Sequence, residues 1–298
     1  MRNTLLGLML CLAALPAAAD DLERLDADGG TFLLDWRGEF TPADQRTLKA
    51  WLLDVGRCVG LLHGRWPRPE IRIALQPVKS GKPYFSDSAV PFARVLRNRP
   101  EGVLFYVAPG RPLADYVSDW TAYHELSHLF IPYPGRPDVW VSEGLASYYQ
   151  NILQLRAGLL TADEVRERFR AAFERGRADD DDADLTLAEL SAAMMERRAF
   201  MRVYWSGALM FMEADIALRG RAADGDRATS LDEVLRRYAD CCLIDGMETT
   251  GRQLVADFDR VAGGDLFATL YRRYAATTAM PEYGAVLAAA GPVLQPQP

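Results

Sequence analysis

The sequence predicts an α+β protein, with a small mixed-sheet lobe followed by a mainly helical lobe. Three observations carry this expectation. Short apolar runs bounded by turn residues are confined to residues 31–107. From about Tyr116 onward apolar residues recur at helical spacing, in one candidate helix after another. Hydrophobic residues make up 49% of the 298 and charged residues 25%, which is enough apolar material for a packed core.

The first twenty residues are expected to lie outside the fold. Arg2 supplies a positive start, Leu5 to Leu15 an apolar stretch, and Ala17-Ala18-Ala19 a small-residue cleavage site, the pattern of a secretory signal peptide. The apolar run is shorter than the roughly 20 residues a membrane span needs. Cleavage would deliver the protein to a periplasm or outside the cell, and no later stretch is long and apolar enough to span a bilayer. A net charge of −7 argues against a nucleic-acid partner, which calls for a basic face.

The elements follow in order. Thr31 to Trp36 reads as a strand. Thr41-Pro42 has an N-cap residue with proline at the first helical position, opening a helix to about Leu62. Ile71 to Leu75 alternates like a strand, and Val90 to Leu96 and Val103 to Val107 are two more, joined by Asn98-Arg99-Pro100-Glu101-Gly102 as a hairpin turn. Candidate helices then span 116–130, 141–157, 162–175, 186–196, 199–219, 230–240, 250–262 and 264–275. Thr161 with Glu164, and Ser230 with Glu233, have capping-box spacing. Asp179 to Asp182 reads as a solvated acidic loop. The expected divisions are 1–19 signal peptide, 20–160 α/β lobe, 161–290 helical lobe and 291–298 flexible tail. Cys58, Cys241 and Cys242 remain after cleavage; Cys58 pairing with one of the adjacent two, and buried free thiols, are both open.

The chemistry is concentrated in His124-Glu125-Leu126-Ser127-His128. Positions four apart lie on one helix face, so both imidazoles can bind one zinc ion while Glu125 reaches a metal-activated water as general base. Histidine occurs three times in the chain and two of the three fall here. The third, His63, precedes Gly64 and reads as a helix-terminal residue. Catalytic zinc takes three protein ligands. Glu143, fifteen positions after His128 and beyond a turn holding Pro132, Pro134, Gly135 and Pro137, is the candidate for the third. Alone it would read as a first-turn acid favoured by the helix dipole. Ser147, one turn on, is a candidate to orient a ligand.

H-E-L-S-H followed by W-V-S-E-G-L-A-S-Y-Y resembles the gluzincin zinc metallopeptidases, and is similar to the bacterial glycyl aminopeptidase family. Val203-Tyr204-Trp205-Ser206-Gly207-Ala208-Leu209, running on to Asp215 and Arg219, is similar to a family helix after the active site. The resemblance implies a thermolysin-like catalytic domain, a bound Zn2+, a peptide or protein substrate, and Tyr204 as donor to the oxyanion formed at the attacked carbonyl. It also marks departures. The family's long N-terminal β domain and PDZ module are not matched, and residues 80–110 hold no clear G-x-x-E motif for gripping a free amine. The Val90 to Leu96 strand is then a candidate edge for an extended peptide, while Arg94 and Arg97 read as ordinary surface residues. Two functions result: a zinc peptidase, or a non-catalytic envelope module that binds a peptide or protein on a peptidase scaffold. Structural zinc sites closed by four Cys or His do not fit this residue set.

Overall fold

The computed structural model describes residues 22–60, 62, 66–79, 87–221 and 227–295. The signal-peptide segment 1–19 and His63 lie outside the described residues. Five strands form one mixed sheet in the order β1-β2-β3-β5-β4: β1 Glu23–Ala27, β2 Gly30–Trp36, β3 Glu70–Pro77, β4 Phe92–Leu96 and β5 Gly102–Val107. The central pairs β2–β3 and β3–β5 are parallel, and the outer pairs β1–β2 and β4–β5 antiparallel. A parallel pair needs a crossover. Helix α1, Pro42–Gly60, supplies it between β2 and β3. It buries Leu48, Trp51, Leu52, Val55 and Val59, with the Trp51 ring 5.2 Å from that of Phe105 in β5. The β4–β5 hairpin forms as expected, with Leu96 opposite Gly102.

Strand β1 escaped the sequence reading because Glu-Arg-Leu-Asp-Ala is mostly charged and exposed. Its signal is the turn: Asp28-Gly29 joins Ala27 to its partner Gly30, and Gly29 has φ of 85°.

The expected helix over 116–130 is broken. It becomes α2 Leu113–Ser118, α3 Thr121–Ser127 and a 3-10 turn His128–Phe130. Asp119, extended at φ −73° and ψ 126°, separates α2 from α3. Its carboxylate accepts from the backbone N–H of Thr121 at 2.9 Å and of Val90 at 3.1 Å, so the break ties the start of α3 to the approach to β4. The remaining helices are α4 Val139–Arg156, α5 Ala162–Ala178, α6 Leu187–Arg197, α7 Phe200–Arg219, α8 Leu231–Cys241, α9 Gly251–Ala262, α10 Leu266–Ala275 and the short α11 Gly284–Ala288, the last not anticipated. Thr161 and Glu164 form a reciprocal capping box, as do Thr186 and Glu189. Ser230 accepts from Glu233 N–H, but the Glu233 carboxylate turns to Thr229 N–H instead.

Two further expectations are corrected. Asp179 is no solvated loop residue, because its carboxylate accepts from the N–H groups of Met201 and Arg202 and so satisfies the open start of α7. Val293 and Leu294 are not tail residues, since both are buried in the core. Of the two readings left open for the cysteines, the buried free thiol holds for Cys58 on the inner face of α1, whereas Cys241 is bonded to Cys242, a pairing that neither reading contained. The core is continuous across residue 160, running from Phe32 and Trp51 through Trp140 and Tyr149 to Phe258 and Phe267. No helix among the described residues is long and apolar enough to cross a membrane.

Candidate metal centre and active site

His124 lies in α3, and His128 follows at its end with φ −61° and ψ −21°. The backbone is thus still right-handed helical at His128, and the two imidazoles keep the one-face relation of positions four apart. Beyond Phe130 the chain turns through Gly135, whose φ of 84° suits a residue without Cβ, and returns as α4. Arg97 braces the turn, donating to the carbonyls of His128 and Ile131 while paired with Glu101 at 3.0 Å.

Helix α4 brings Glu143 to the two histidines. Its Oε2 is 3.3 Å from His124 Nε2 and 3.5 Å from His128 Nε2, and the two Nε2 atoms are 3.2 Å apart. Two tetrahedral ligand atoms about 2.0–2.1 Å from one zinc ion are separated by about 3.3 Å. The three distances bracket that edge length, so the donor set fits a single tetrahedral ion with one position left open. Two Nε2 lone pairs at 3.2 Å also repel unless a cation or proton lies between them.

Each imidazole is held from behind. His124 Nδ1 meets Gln150 Oε1 at 2.9 Å, and His128 Nδ1 meets Ser142 Oγ at 2.9 Å. With Nδ1–H donating to these oxygens, both Nε2 atoms present lone pairs to the ligand position. Ser147, expected to orient a ligand, does not: its buried hydroxyl has no side-chain partner among the described residues. Ser142 and Gln150 were missed. The available signal was periodicity, since Gln150 lies seven residues, two helical turns, beyond Glu143 on the same face.

The close crossing of α4 and α7 completes the site. A Cβ on Gly144 would sit 2.4 Å from the Gly207 backbone, and one on Gly207 would sit 2.2 Å from the Trp140 carbonyl oxygen. Only glycine at both positions permits this approach. Tyr204, one turn before Gly207, stacks on the His124 ring with centroids 6.0 Å apart and 23° between planes. Behind the crossing, Tyr148 donates to Asp215 at 2.7 Å and Tyr149 to Asp232 at 2.8 Å, with Arg219 and Arg156 paired to those carboxylates.

The electrostatics follow from burial and proximity. Burial alone would push the Glu143 carboxyl up, but the charges and hydrogen bonds of His128 and His124 hold it well below the carboxylate range. Burial works to lower His124, and the Glu143 hydrogen bond and charge outweigh it, raising the imidazole. Burial raises the Glu125 carboxyl, opposed by His128 and His124. Burial, then the charges of Glu143 and Glu125, keeps the Tyr204 phenol protonated. The site opens on a cleft of about 870 Å³, lined by β4 and by Met195, Phe200 and Tyr204 among others. Glu125 lines it beside the ligands, and so do Arg94 and Arg97, which are not ordinary surface residues.

The sequence model of the M61 glycyl aminopeptidases matches residues 133–210. That stretch, shorter than half of the chain, contains Glu143, Gly144, Tyr204 and Gly207 and begins after His128. No curated protein matches in sequence. Solved structures do match in fold. An aminopeptidase N family protein from Idiomarina loihiensis superposes with a TM-score of 0.58 at 15% identity, covering 90% of this chain and 48% of its own. An M1 zinc metallopeptidase from Deinococcus radiodurans gives 0.50 at 16% identity, covering 92% and 52%. A mutant M1 zinc metallopeptidase from that organism, bound to a Tyr-Ser-Ala substrate, gives 0.51 at 16% identity, covering 87% and 52%. The chain spans about half the length of these structures. The chain therefore has the thermolysin-like fold shared by the M1 zinc metallopeptidases, resembles the glycyl aminopeptidases through the segment that carries Glu143 and Tyr204, and groups His124, His128 and Glu143 where they could hold a metal ion.

Proposed function

We propose that the protein is a zinc-dependent peptidase of the gluzincin type, with His124, His128 and Glu143 as metal ligands, Glu125 as general base and Tyr204 as oxyanion donor. The observation that carries it is the triangle of donor atoms at 3.2, 3.3 and 3.5 Å, set in a cleft that Glu125 and Tyr204 also line. Zinc held there supplies Lewis acidity toward a carbonyl and a water acidified toward neutrality. Glu125, raised above the usual carboxylate range, takes the proton from the attacking water and passes it to the leaving amine. Tyr204, held protonated and stacked on the His124 ring, donates to the oxygen that gains charge. Ser142 and Gln150 keep the imidazoles in the ligating tautomer. The signal-like segment Arg2 to Ala19 supports action in a periplasm or outside the cell.

The test is hydrolysis of a peptide library, with and without chelator, by wild type, Glu125→Gln and Tyr204→Phe. Glu125→Gln is expected to keep one zinc per chain and lose roughly 10³-fold in turnover. Tyr204→Phe is expected to lose roughly 10²-fold in kcat. Wild-type turnover in Glu125→Gln removes the mechanism. A zinc-loaded wild type that cleaves nothing in the library supports the non-catalytic binding module instead.

A further inference from the structure

The proposed peptidase site leaves open what the cleft selects, and its lining charges bear on this. Glu125 and Glu143 are the only carboxylates among its described lining residues, and both are committed to the metal chemistry. Asp87, five positions before Phe92, is turned to Arg111. A substrate's free ammonium group therefore finds no carboxylate of its own in the described cleft.

A cation lines the same cleft. Arg94 projects from β4 with its side chain exposed, and no described residue pairs with it. Arg97 differs, being neutralised by Glu101 and bonded to the His128 turn. Strand β4 is also the end of the sheet: one edge pairs with β5, and the other has no strand partner among the described residues. Such an edge accepts an extended peptide, whose side chains meet those of the strand in cross-strand pairs. Along β4, Phe92 and Arg94 are both exposed and two positions apart, so they share a face. Apolar surface continues around the cleft in Trp120, Tyr133 and Met195, which with Phe92 are four of the seven exposed large apolar side chains among the described residues.

We infer that the cleft takes an internal, extended stretch of polypeptide along the free edge of β4, with an apolar side chain against Phe92 and an acidic side chain, two residues away, against Arg94. The inference rests on the peptidase reading for the fate of the peptide, but not for its recognition. Arg94 is a specificity determinant and takes no part in the chemistry.

Binding separates recognition from turnover. The zinc-loaded, full-length Glu125→Gln protein is titrated, by fluorescence anisotropy, into labelled N-acetylated decapeptides. These hold leucine and, two residues before or after it, glutamate, glutamine or lysine. The glutamate peptide is expected to bind about tenfold tighter than its lysine counterpart, an exposed cation giving a few-fold for attraction and a few-fold for repulsion. Adding Arg94→Glu is expected to reverse the order. Equal affinities, an unchanged preference in the Arg94→Glu protein, or no binding of any peptide overturns the inference. Hydrolysis by wild-type protein is read separately. Charge-selective binding without any hydrolysis would keep the recognition and remove the peptidase function.

Discussion

Replacing Gly144 by alanine tests how the site is held together, because Gly144 makes no contact with the metal and yet sets the position of its neighbour Glu143. The added Cβ would lie 2.4 Å from both Cα and the carbonyl carbon of Gly207. Ordinary contact begins at 3.4 Å, so α4 and α7 must separate locally by about 1 Å. Both partner atoms are backbone, so no side chain can rotate away. Overpacking of this kind costs about 1–3 kcal/mol, which for a protein of this size lowers Tm by roughly 2–5 °C. The same shift carries Glu143 Oε2 away from positions 3.3 and 3.5 Å from the imidazoles, whereas zinc tolerates about 0.2 Å in its bond lengths. We therefore expect at least a tenfold loss of zinc affinity, measured by competition with a chromophoric chelator, together with the fall in Tm measured by calorimetry. Gly284→Ala is the control, since a Cβ there meets nothing within 4 Å and should leave both quantities unchanged. A Gly144→Ala protein with wild-type Tm and zinc affinity would refute the claim that the glycine crossing positions Glu143.

Gln150→Leu removes the oxygen that holds His124 Nδ1, and zinc affinity should fall by about 10–100-fold while secondary structure by circular dichroism is retained; unchanged affinity would show that Gln150 does not orient the ligand. The pH dependence of stability should differ between metal-free and zinc-loaded protein. In the metal-free protein the folded His124 imidazole is raised, so its stabilising contribution is complete below the unfolded value of about 6.5 and is lost as pH rises through the folded one. The folded Glu143 carboxyl is lowered, so its contribution is present above the unfolded value and lost only at far more acid pH. Zinc requires neutral imidazoles and binds better as pH rises. The Tm gained on adding zinc should thus widen from pH 6 to 8, and a constant gain would argue that His124 is not a ligand.

Much of the site was legible because its information is local. His124, Glu125 and His128 occupy five consecutive residues, and helical periodicity alone puts both imidazoles on one face. Glu143 was legible through the prolines and Gly135 before it, which force the chain to turn back. The strands β2, β3, β4 and β5 were visible as short apolar runs between turn residues, whereas β1 was hidden by charged side chains on an outer strand and betrayed only by Asp28-Gly29. The break at Asp119 was missed because the helical pattern continues through it. Its carboxylate bonds Val90, twenty-nine residues earlier in the chain, and no local pattern reports that.

By itself, then, the sequence determined the proposed ligands and base of this protein and most of the order of its strands and helices, since these depend on residue type and on spacing over a turn or two. Only the tertiary structure decided what lies behind the ligands and what faces the cleft. Gln150 and Ser142 rather than Ser147 back the histidines, Cys241 bonds Cys242 rather than Cys58, and Arg94 lines the cleft instead of a plain surface. Each of these depends on which faces of distant elements meet, and at the α4–α7 crossing that is decided by the absence of two Cβ atoms sixty-three positions apart.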